Sequence, residues 1–386
     1  MEQIEKYCQA HLSSMIKLTQ RLVNVDSPST SLEGVERVAA ILQEKMGELG
    51  MVTRQIDRGK PGMVLVGELT SPAGVAPVIL LGHLDTVFPD GTAKQRPFQQ
   101  VGNQLTGPGI FDMKAGLVIG LFAIQALVEL GLRHRPIKMI IVSDEEKLHM
   151  GSQAPEIIAR ECDGGAYGLN LEGSADDFHR VVTRNRGGMV VEVNVQGKAA
   201  HLGAEPEKGR SAIEELVHQV IQFALLTNLD AGIHVNCGMI QGGTSENIIP
   251  DQAMTRMGIR FRTNQQAIQL LRQIKSIANN LTVPGTTTTV KIVTKIKSMD
   301  ETPAVKQLFD QLNQVSRQIG SGQLRAVAGG GSSDAGIMVS QGVPTIDGLG
   351  VVGSGAHSSD ERASAESVLK RVIFIANFIA QQDLLD

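Results

Sequence analysis

The sequence is poor in aromatic residues and in cysteine. Its 386 residues contain no tryptophan, two tyrosines and three cysteines. Cys8, Cys162 and Cys237 are odd in number and have no C-x-x-C spacing, which argues against a disulfide framework and against a thiolate zinc site. The formal net charge of -4 and the lack of a long basic run leave no electrostatic footprint for nucleic acid. We therefore expect reduced, mostly buried thiols and no nucleic-acid partner.

The sequence also lacks the marks of a targeting or membrane segment. Its first residues, Met1 to Tyr7, include no basic segment followed by an apolar stretch, the pattern of a secretory signal. No window approaches the roughly 18 uninterrupted apolar residues of a membrane span, and the longest apolar runs have the length of strands. These absences predict a soluble, cytoplasmic protein without a membrane partner.

Apolar runs of strand length alternate with helical periodicity in the first half of the chain. Strands are predicted at 63–69, 78–81 and 137–142, and a helix at 115–130. This alternation predicts an α/β domain with a mostly parallel central sheet. The length of 386 residues suggests two domains.

A second pattern begins after residue 186. Its predicted elements follow the order strand, helix, strand, strand, helix, strand and lie at 187–197, 211–226, 233–240, 254–262, 265–281 and 286–295. This order is the split βαβ arrangement, a compact α+β unit of the ferredoxin-like type. We therefore predict an inserted domain at 187–297 within a discontinuous first domain at 1–186 and 298–386, closed by a helix at 366–380.

A histidine and an aspartate follow the predicted strand at 78–81. Open α/β sheets hold their ligands at the C-terminal ends of strands, so His83 is a candidate metal ligand. Asp85 lies two residues on along an extended chain, points to the same side and can fix the imidazole tautomer. A surface turn after a strand is the alternative interpretation.

Four more acidic residues have comparable settings. Asp112 lies in a glycine-rich turn before a helix, where a simple N-cap is the alternative. Glu145 and Glu146 follow an apolar strand, and adjacent residues on extended backbone face opposite ways. One can therefore bind metal while the other holds a proton near a metal-bound water, although an acidic surface turn would look the same. Glu172 ends a further apolar strand.

His357, in the polar loop 353–361, adds a second imidazole. The resulting set of nitrogen and oxygen ligands is one that zinc favours: His83, Asp112, Glu146, Glu172 and His357. It suits two metal ions that share one carboxylate and one water. Glu146 and His149 also match the Glu-x-x-His spacing of di-iron bundles, but the motif occurs once and follows a strand, so we interpret His149 as an ordinary histidine. We interpret the remaining isolated histidines as structural or surface residues: His11, His134, His179, His218 and His234.

Six segments occur in the order seen in a zinc-dependent exopeptidase family: G-H-L-D-T, G-P-G-I-F-D-M-K, S-D-E-E-K, N-L-E-G, G-K-A-A-H-L-G and G-A-H-S-S-D-E. That family includes glutamate carboxypeptidase, acetylornithine deacetylase, succinyl-diaminopimelate desuccinylase and aminoacylase. The chain most resembles the glutamate carboxypeptidase type, also through E-N-I-I-P and G-G-G-S-S-D-A. The resemblance covers nearly the whole chain. It implies an α/β catalytic domain with an inserted ferredoxin-like dimerisation domain.

The resemblance also implies which residues share each metal ion. His83, Asp112 and Glu172 would bind one zinc, and Asp112, Glu146 and His357 would bind the other, with Asp112 as the bridge. The implied cofactor is two Zn²⁺ per chain, which Co²⁺ or Mn²⁺ can replace.

Catalytic roles follow from the same resemblance. Glu145 would be the general base that deprotonates the bridging water and returns the proton to the leaving amine, and Asp85 would orient His83. His201 matches a histidine that reaches across a dimer interface to polarise the scissile carbonyl. The inserted domain would then be the dimerisation domain of a homodimer. The peptide bond after Asp112 is often cis in this family.

Other matched positions concern the substrate's carboxylate. Asn247 and Arg260 match residues that hold it, as an arginine fork with an amide donor can; without the resemblance, an asparagine turn and a strand-surface arginine are the simpler interpretations. The backbone amides of Gly330 and Gly331 suit an anion in the same pocket. Lys297 stands near the place of a second arginine in carboxypeptidase G relatives. Because lysine is a point charge rather than a fork, this departure leaves the preferred side chain open.

The resemblance therefore predicts a carboxypeptidase or amidohydrolase that acts on small peptides or N-acyl amino acids with a free carboxylate. An N-acyl-amino-acid deacylase or desuccinylase is the alternative with the same chemistry. A catalytically silent metal- or amino-acid-binding protein is the alternative from another class.

Overall fold

The computed structural model describes residues 1–70, 74–133, 135–175 and 177–382. The helices are α1 Glu2–Val23, α2 Leu32–Glu48, α3 Thr92–Gln95, α4 Ala115–Glu129, α5 Ala154–Cys162, α6 Ala212–Ala224, α7 Asn264–Asn279, α8 Pro303–Gln318, α9 Ala335–Ser340 and α10 Ala365–Gln382. The strands are β1 Val52–Asp57, β2 Met63–Leu69, β3 Val78–His83, β4 Gln99–Val101, β5 Gln104–Thr106, β6 Ile137–Val142, β7 Tyr167–Asn170, β8 Ser174–Ala175, β9 Arg180–Arg184, β10 Gly187–Gln196, β11 Ala200–His201, β12 His234–Gly242, β13 Ile248–Ile249, β14 Gln252–Phe261, β15 Thr287–Ile296, β16 Arg325–Ala328, β17 Thr345–Ile346, β18 Val352–Ser354 and β19 Arg362–Ser364. His134, interpreted above as structural or superficial, lies outside the described residues.

The chain forms two compact units. The first consists of 1–184, 301–329 and 333–386, and the second of 185–300 together with 330–332. The sequence pattern predicts these boundaries at 187 and 297. It assigns the glycine-rich segment 330–332 to the first domain.

A mixed sheet organises the first unit. Among the described residues it has six strands in the order β1-β2-β6-β3-β7-β17. Strands β6, β3, β7 and β17 run parallel, whereas β1 and β2 are antiparallel to their neighbours. The prediction of a mostly parallel central sheet is confirmed.

Helices pack on both faces of this sheet. Val66, Leu81 and Ile140 face α5 and α9 on one side. On the other side α4 lies against β3, and every side chain of α4 from 115 to 127 is buried. The expectation that apolar runs are only strand-sized is wrong here, because the segment Ile110–Glu129 is long and apolar enough to cross a membrane by length and composition alone. The segment is buried, which identifies it as a core helix. Buried core helices can also meet these criteria of length and composition.

The second unit is an antiparallel sheet with two helices on one face. Its described strands have the order β12-β14-β10-β15, with α6 following β10 and α7 following β14. Phe223 of α6 and Ile274 of α7 pack against apolar side chains of β10 and β14. The predicted split βαβ arrangement is confirmed.

Candidate metal centre

Three parallel strands of the first unit end side by side. His83, at the end of β3, pairs in register with Val142 of β6, and Leu81 pairs with Asn170 of β7. The residues after β6 and β7 therefore leave the sheet beside His83. This register explains how Glu145, Glu146 and Glu172, far apart in sequence, reach the same C-terminal end of the parallel strands.

Asp112 reaches that end of the strands from the turn before α4. Two glycines allow the close approach, because a Cβ on Gly116 would lie 2.0 Å from the Leu171 carbonyl oxygen and one on Gly173 would lie 2.3 Å from the Phe111 ring. The peptide bond between Asp112 and Met113 is cis, as the family resemblance implied.

A hairpin near the C-terminus supplies the remaining histidine. His357 lies between β18 and β19, with a left-handed φ of 64°. Glu361, in the same hairpin, accepts hydrogen bonds from the backbone N–H groups of Gly109, Phe111 and Asp112 at 2.8 to 3.0 Å. The hairpin thus contributes one candidate metal ligand, His357, and fixes the turn that carries another, Asp112. Sequence reasoning missed Glu361, which stood only as the last letter of the motif around His357.

The five predicted ligands form two donor groups that share Asp112. One group is His83, Asp112 and Glu172, and the other is Asp112, Glu146 and His357; within each, the donor atoms lie within 4.8 Å of one another. Asp112 Oδ1 is 2.9 Å from His83 Nε2, and Asp112 Oδ2 is 3.2 Å from His357 Nε2. The two oxygens of one carboxylate therefore face different histidines, which is the arrangement of a bridging ligand.

These residues fit divalent cations. The buried Oε1 of Glu146 has no hydrogen-bond partner among the described residues. Burial, with repulsion from Asp112, raises the pKa of Glu146 to about 8 and that of Glu172 to about 7. Burial lowers the pKa of His83, but the neighbouring carboxylates of Glu172 and Asp112 raise it well above its usual value. Three carboxylates and two imidazoles supply the oxygen and nitrogen donors that divalent transition metals accept.

Asp85 contacts both His83 and the turn that carries Glu145 and Glu146. It is fully buried, and its backbone oxygen lies 3.0 Å from His83 Nδ1, which leaves Nε2 to face the donor groups. Its carboxylate accepts hydrogen bonds from Ser29 Oγ at 2.5 Å and from the backbone N–H groups of Glu145 and Glu146 at 3.3 and 3.2 Å. Asp85 thus joins the β3 end to the turn after β6.

Glu145 belongs to neither donor group. Burial raises the pKa of its carboxyl well above the usual value, and Glu172, Asp334 and Asp85 raise it further. A carboxyl beside a candidate metal centre, with a raised pKa, is suited to accept and return a proton.

The second unit holds His201 and Asn247 together. His201 of β11 pairs with Ile248 of β13, and the backbone N–H of Leu202 donates to the Asn247 carbonyl oxygen at 3.0 Å. The segment with His201 follows β10 and the segment with Asn247 precedes β14, at the end of the sheet where the Gly197 N–H donates to the Asp251 carbonyl oxygen. Both side chains are exposed in the chain by itself.

The opposite end of the same sheet holds the other predicted substrate residues. Arg260 pairs in register with Gly188, and Lys297 directly follows Ile296, which also pairs with Gly188. Ser332, next to Gly330 and Gly331, donates to the Arg186 carbonyl oxygen at 3.1 Å. Within strand β14, Gln252 and Arg260 are eight residue steps apart, or about 26 Å at 3.3 Å per residue. One chain therefore does not place Arg260 beside the His201 and Asn247 loops, and a shared grip of Asn247 and Arg260 on one carboxylate stays a prediction that requires a second chain.

The chain resembles characterised hydrolases over nearly its whole length. The model of peptidase family M20/M25/M40 matches residues 79–381. The chain is 27% identical over 366 residues to carboxypeptidase G2 of Pseudomonas sp. (strain RS-16), covering 94% of this chain and 88% of that protein. It is 25% identical over 313 residues to succinyl-diaminopimelate desuccinylase of Gluconacetobacter diazotrophicus, covering 77% and 79%. Among solved structures, aminopeptidase PepT from Bacillus cereus matches with a TM-score of 0.75 at 23% identity, covering 97% of this chain and 99% of that chain, a likeness of fold.

Proposed function

Because the chain belongs to peptidase family M20/M25/M40 and is thus a hydrolase of the metallopeptidase type, we propose that it cleaves a peptide or N-acyl amide bond next to a free carboxylate with two zinc ions. The observation that carries this proposal is Asp112, whose two oxygens face His83 and His357 in two adjoining donor groups. A shared carboxylate between two such groups supports a pair of metal ions a few ångströms apart.

Each donor group would hold one ion: His83, Asp112 and Glu172 the first, and Asp112, Glu146 and His357 the second. Nitrogen and oxygen donors without thiolate suit zinc, and Co²⁺ or Mn²⁺ also accept this set. Zinc, when bound, lowers the pKa of water towards neutrality and polarises the scissile carbonyl.

Glu145 moves the proton in this proposal. Its carboxylate accepts a proton from the attacking water as the water oxygen bonds to the carbonyl carbon. As the carbon–nitrogen bond breaks, Glu145 returns that proton to the leaving nitrogen, so that the products are a carboxylic acid and an amine, which then ionise to a carboxylate and an ammonium group. Asp85 holds the backbone of Glu145 through its N–H group, which keeps the carboxyl in place between the two transfers.

Positive charge at the Gly188 end of the second unit supports recognition of an anionic substrate. Arg260 and Lys297 lie there with the backbone of Gly330 and Gly331. The guanidinium fork of Arg260 can take a carboxylate in a bidentate manner, while Lys297 adds a point charge. We propose that this end binds the substrate's free carboxylate.

A homodimer through the second unit would complete the site, since His201 and Asn247 lie at the other end of the sheet from Arg260. Strand β12 is an edge strand, and its unpaired backbone can pair with a second copy. Beside it, Val217 and Ile221 of α6 and Leu225, which directly follows α6, are exposed and lie four residues apart on one helix face. We propose that these surfaces join two copies, so that His201 and Asn247 of one chain serve the site of the other.

A substrate panel tests the proposal. Metal-depleted protein reconstituted with Zn²⁺ or Co²⁺ is assayed on folate-like and γ-glutamyl conjugates, dipeptides, and N-acetyl and N-succinyl amino acids, each with its carboxylate free or amidated. We expect hydrolysis of at least one free-carboxylate substrate, loss with a chelator, and loss on amidation. Preference for N-acyl amino acids would favour the deacylase alternative. A metal-loaded dimer that is inactive on every amide would refute the proposal in favour of a binding protein.

A further inference from the structure

Four buried charged side chains form a line behind the turn that carries Glu145. Arg58 Nη1 donates to Asp144 Oδ2 at 2.8 Å, His149 Nδ1 lies 3.0 Å from Asp144 Oδ1, and His149 Nε2 lies 2.7 Å from Asp334 Oδ1. All four side chains are only 4 to 7% exposed. The signs alternate along the line when His149 carries its proton. Each buried charge therefore has an opposite neighbour, which buried ions require.

The backbone around His149 is held in an unusual conformation. Leu148 and His149 have φ values of 52° and 51°, in the left-handed region that non-glycine residues seldom adopt. The backbone N–H groups of both residues bond within the same turn. Leu148 N–H donates to the Glu145 carbonyl oxygen, and His149 N–H donates to the Asp144 carbonyl oxygen. Such strain persists where the surroundings enforce it, and here it brings the His149 ring beneath Asp144.

At the Asp334 end, the line of charged side chains is connected to β7, the strand that precedes Glu172. Asp334 directly precedes α9, and its neighbour Ser333 donates to Asp347 Oδ2 at 2.6 Å. Asp347 Oδ1 in turn accepts from Asn170 at the end of β7, two residues before Glu172. Burial lowers the pKa of His149, but Asp334 and Asp144 raise it well above its usual value, which supports a protonated ring that donates to both carboxylates.

We infer that His149 is a positioning residue: by linking Asp144, which Arg58 also holds, to Asp334, it fixes the turn that places Glu145 and Glu146 at the metal centre. This role rests on the proposed function but concerns a residue outside both donor groups. His149 belongs to neither donor group, in keeping with the interpretation that it is not a metal ligand, but its two partners lie on different elements and give it a part in the packing around the site.

Variants at both ends of the His149–Asp334 contact test the inference. His149→Ala leaves Asp334 charged and unpaired, so its effect combines lost stability with lost positioning. The double variant His149→Ala/Asp334→Asn removes the unpaired charge and should regain much of the lost Tm. Metal affinity is measured by competition with a chromophoric chelator, together with kcat and KM on whichever substrate the wild type cleaves. The matched control is His179→Ala, since His179 also bridges two segments, through Asp177 Oδ1 and the Ser321 carbonyl oxygen.

We expect the double variant to recover Tm while its affinity for one metal ion stays about 10- to 100-fold weaker and kcat falls by a similar factor. KM should change less, and His179→Ala should change neither quantity. If affinity and kcat return with Tm in the double variant, the role of His149 is only structural and the inference fails. Metal affinity decides this even if the wild type cleaves no amide, an outcome that would refute the proposed function alone.

Discussion

Glu145 and Glu146 are adjacent, yet their surroundings differ. Glu146 Oε2 lies 3.1 Å from His357 Nε2 and belongs to the second donor group, whereas Glu145 belongs to none. Both backbone N–H groups bond to Asp85, so one buried carboxylate holds the backbone that carries both side chains. The pair therefore divides into one candidate ligand and one candidate proton carrier.

Replacing Glu145 by glutamine separates these two roles. Glutamine keeps the size of the side chain but cannot accept the proton, so we expect kcat to fall by about 10²- to 10⁴-fold with metal content unchanged. Zinc per chain, measured by atomic emission, and steady-state rates test this. Lys147→Gln, an exposed change in the same turn, is the control and should retain full activity. More than a tenth of wild-type kcat in Glu145→Gln would exclude Glu145 as the base.

Proton competition should make metal binding depend on pH. A metal ion needs its carboxylate and imidazole ligands unprotonated. In the metal-free protein burial raises the pKa of Glu146 to about 8 and that of Glu172 to about 7, and the Asp112 carboxylate raises the pKa of His357 to about 9. Lowering the pH therefore protonates the ligands and weakens binding. We expect the affinity for Zn²⁺ to fall by about tenfold or more per unit between about pH 8 and about pH 6. Titration calorimetry in several buffers measures both affinity and released protons; an affinity constant across this range would contradict the prediction.

At the scale of elements, the site depends on how closely α4 approaches the end of β7. Gly116 lies in the first turn of α4 and faces the Leu171 carbonyl oxygen, one residue before Glu172. The fit is between a helix and backbone atoms, which cannot move aside as a flexible side chain can. This packing sets the distance between the Asp112 turn and Glu172.

Alanine substitutions at two helical glycines distinguish this packing from helix propensity. Alanine normally stabilises a helix interior by about 0.5–1 kcal/mol relative to glycine. At Gly47 of α2, where the new Cβ would meet no atom of another described segment within 4 Å, we expect that gain. At Gly116 the Cβ would meet Leu171 O at 2.0 Å, so we expect a loss of about 1–3 kcal/mol and weaker metal binding. Urea unfolding measures the free energy of unfolding of both variants. Equal gains in stability at the two sites would contradict the role given to Gly116.

At the scale of the whole molecule, the second unit presents two groups of candidate substrate residues at opposite ends of one sheet. His201 and Asn247 lie at one end, and Arg260 and Lys297 at the other. A single chain cannot use both groups on one small substrate through this sheet. Association of two copies is therefore part of the proposed mechanism.

Charged substitutions on α6 should separate the copies and abolish activity together. Leu225 is 78% exposed and Ile221 is 57% exposed, so Ile221→Asp/Leu225→Asp should leave the fold and Tm of each chain almost unchanged. We expect a monomer in analytical ultracentrifugation with kcat/KM lowered by at least about 10²-fold, since His201 is then withdrawn from the partner's site. Ile268→Asp, at an exposed position of α7, is the matched control. A fully active monomer would refute the shared site.

Adding an intact partner provides a second measurement. A chain with Glu145→Gln mixed with a chain with His201→Ala forms heterodimers in which one site combines an intact Glu145 with an intact partner His201. Recovery of up to half the wild-type activity per heterodimer is expected if the site is shared. No recovery from two chains that demonstrably associate would contradict sharing.

Local patterns determined the elements and the set of donor residues. Periodicity of 2 and 3.6 residues is carried by neighbouring side chains, so β6, α4 and the split βαβ order could be predicted from the sequence. The strand-end positions of His83 and Glu146 were also readable, because parallel strands present their C-terminal ends together. The cytoplasmic location rests on sequence patterns alone and stays a prediction.

Contacts between distant segments decided the rest. Only the folded chain shows that Asp112 turns one oxygen to each histidine, that Glu361 holds the Asp112 turn, and that His149 lies between Asp144 and Asp334. Such pairings depend on register and packing across up to about 250 residues of sequence separation, and no local periodicity encodes them. The separation of Asn247 from Arg260 has the same origin, because the direction of β14 in the sheet, rather than their spacing of thirteen residues, sets the ends at which they lie.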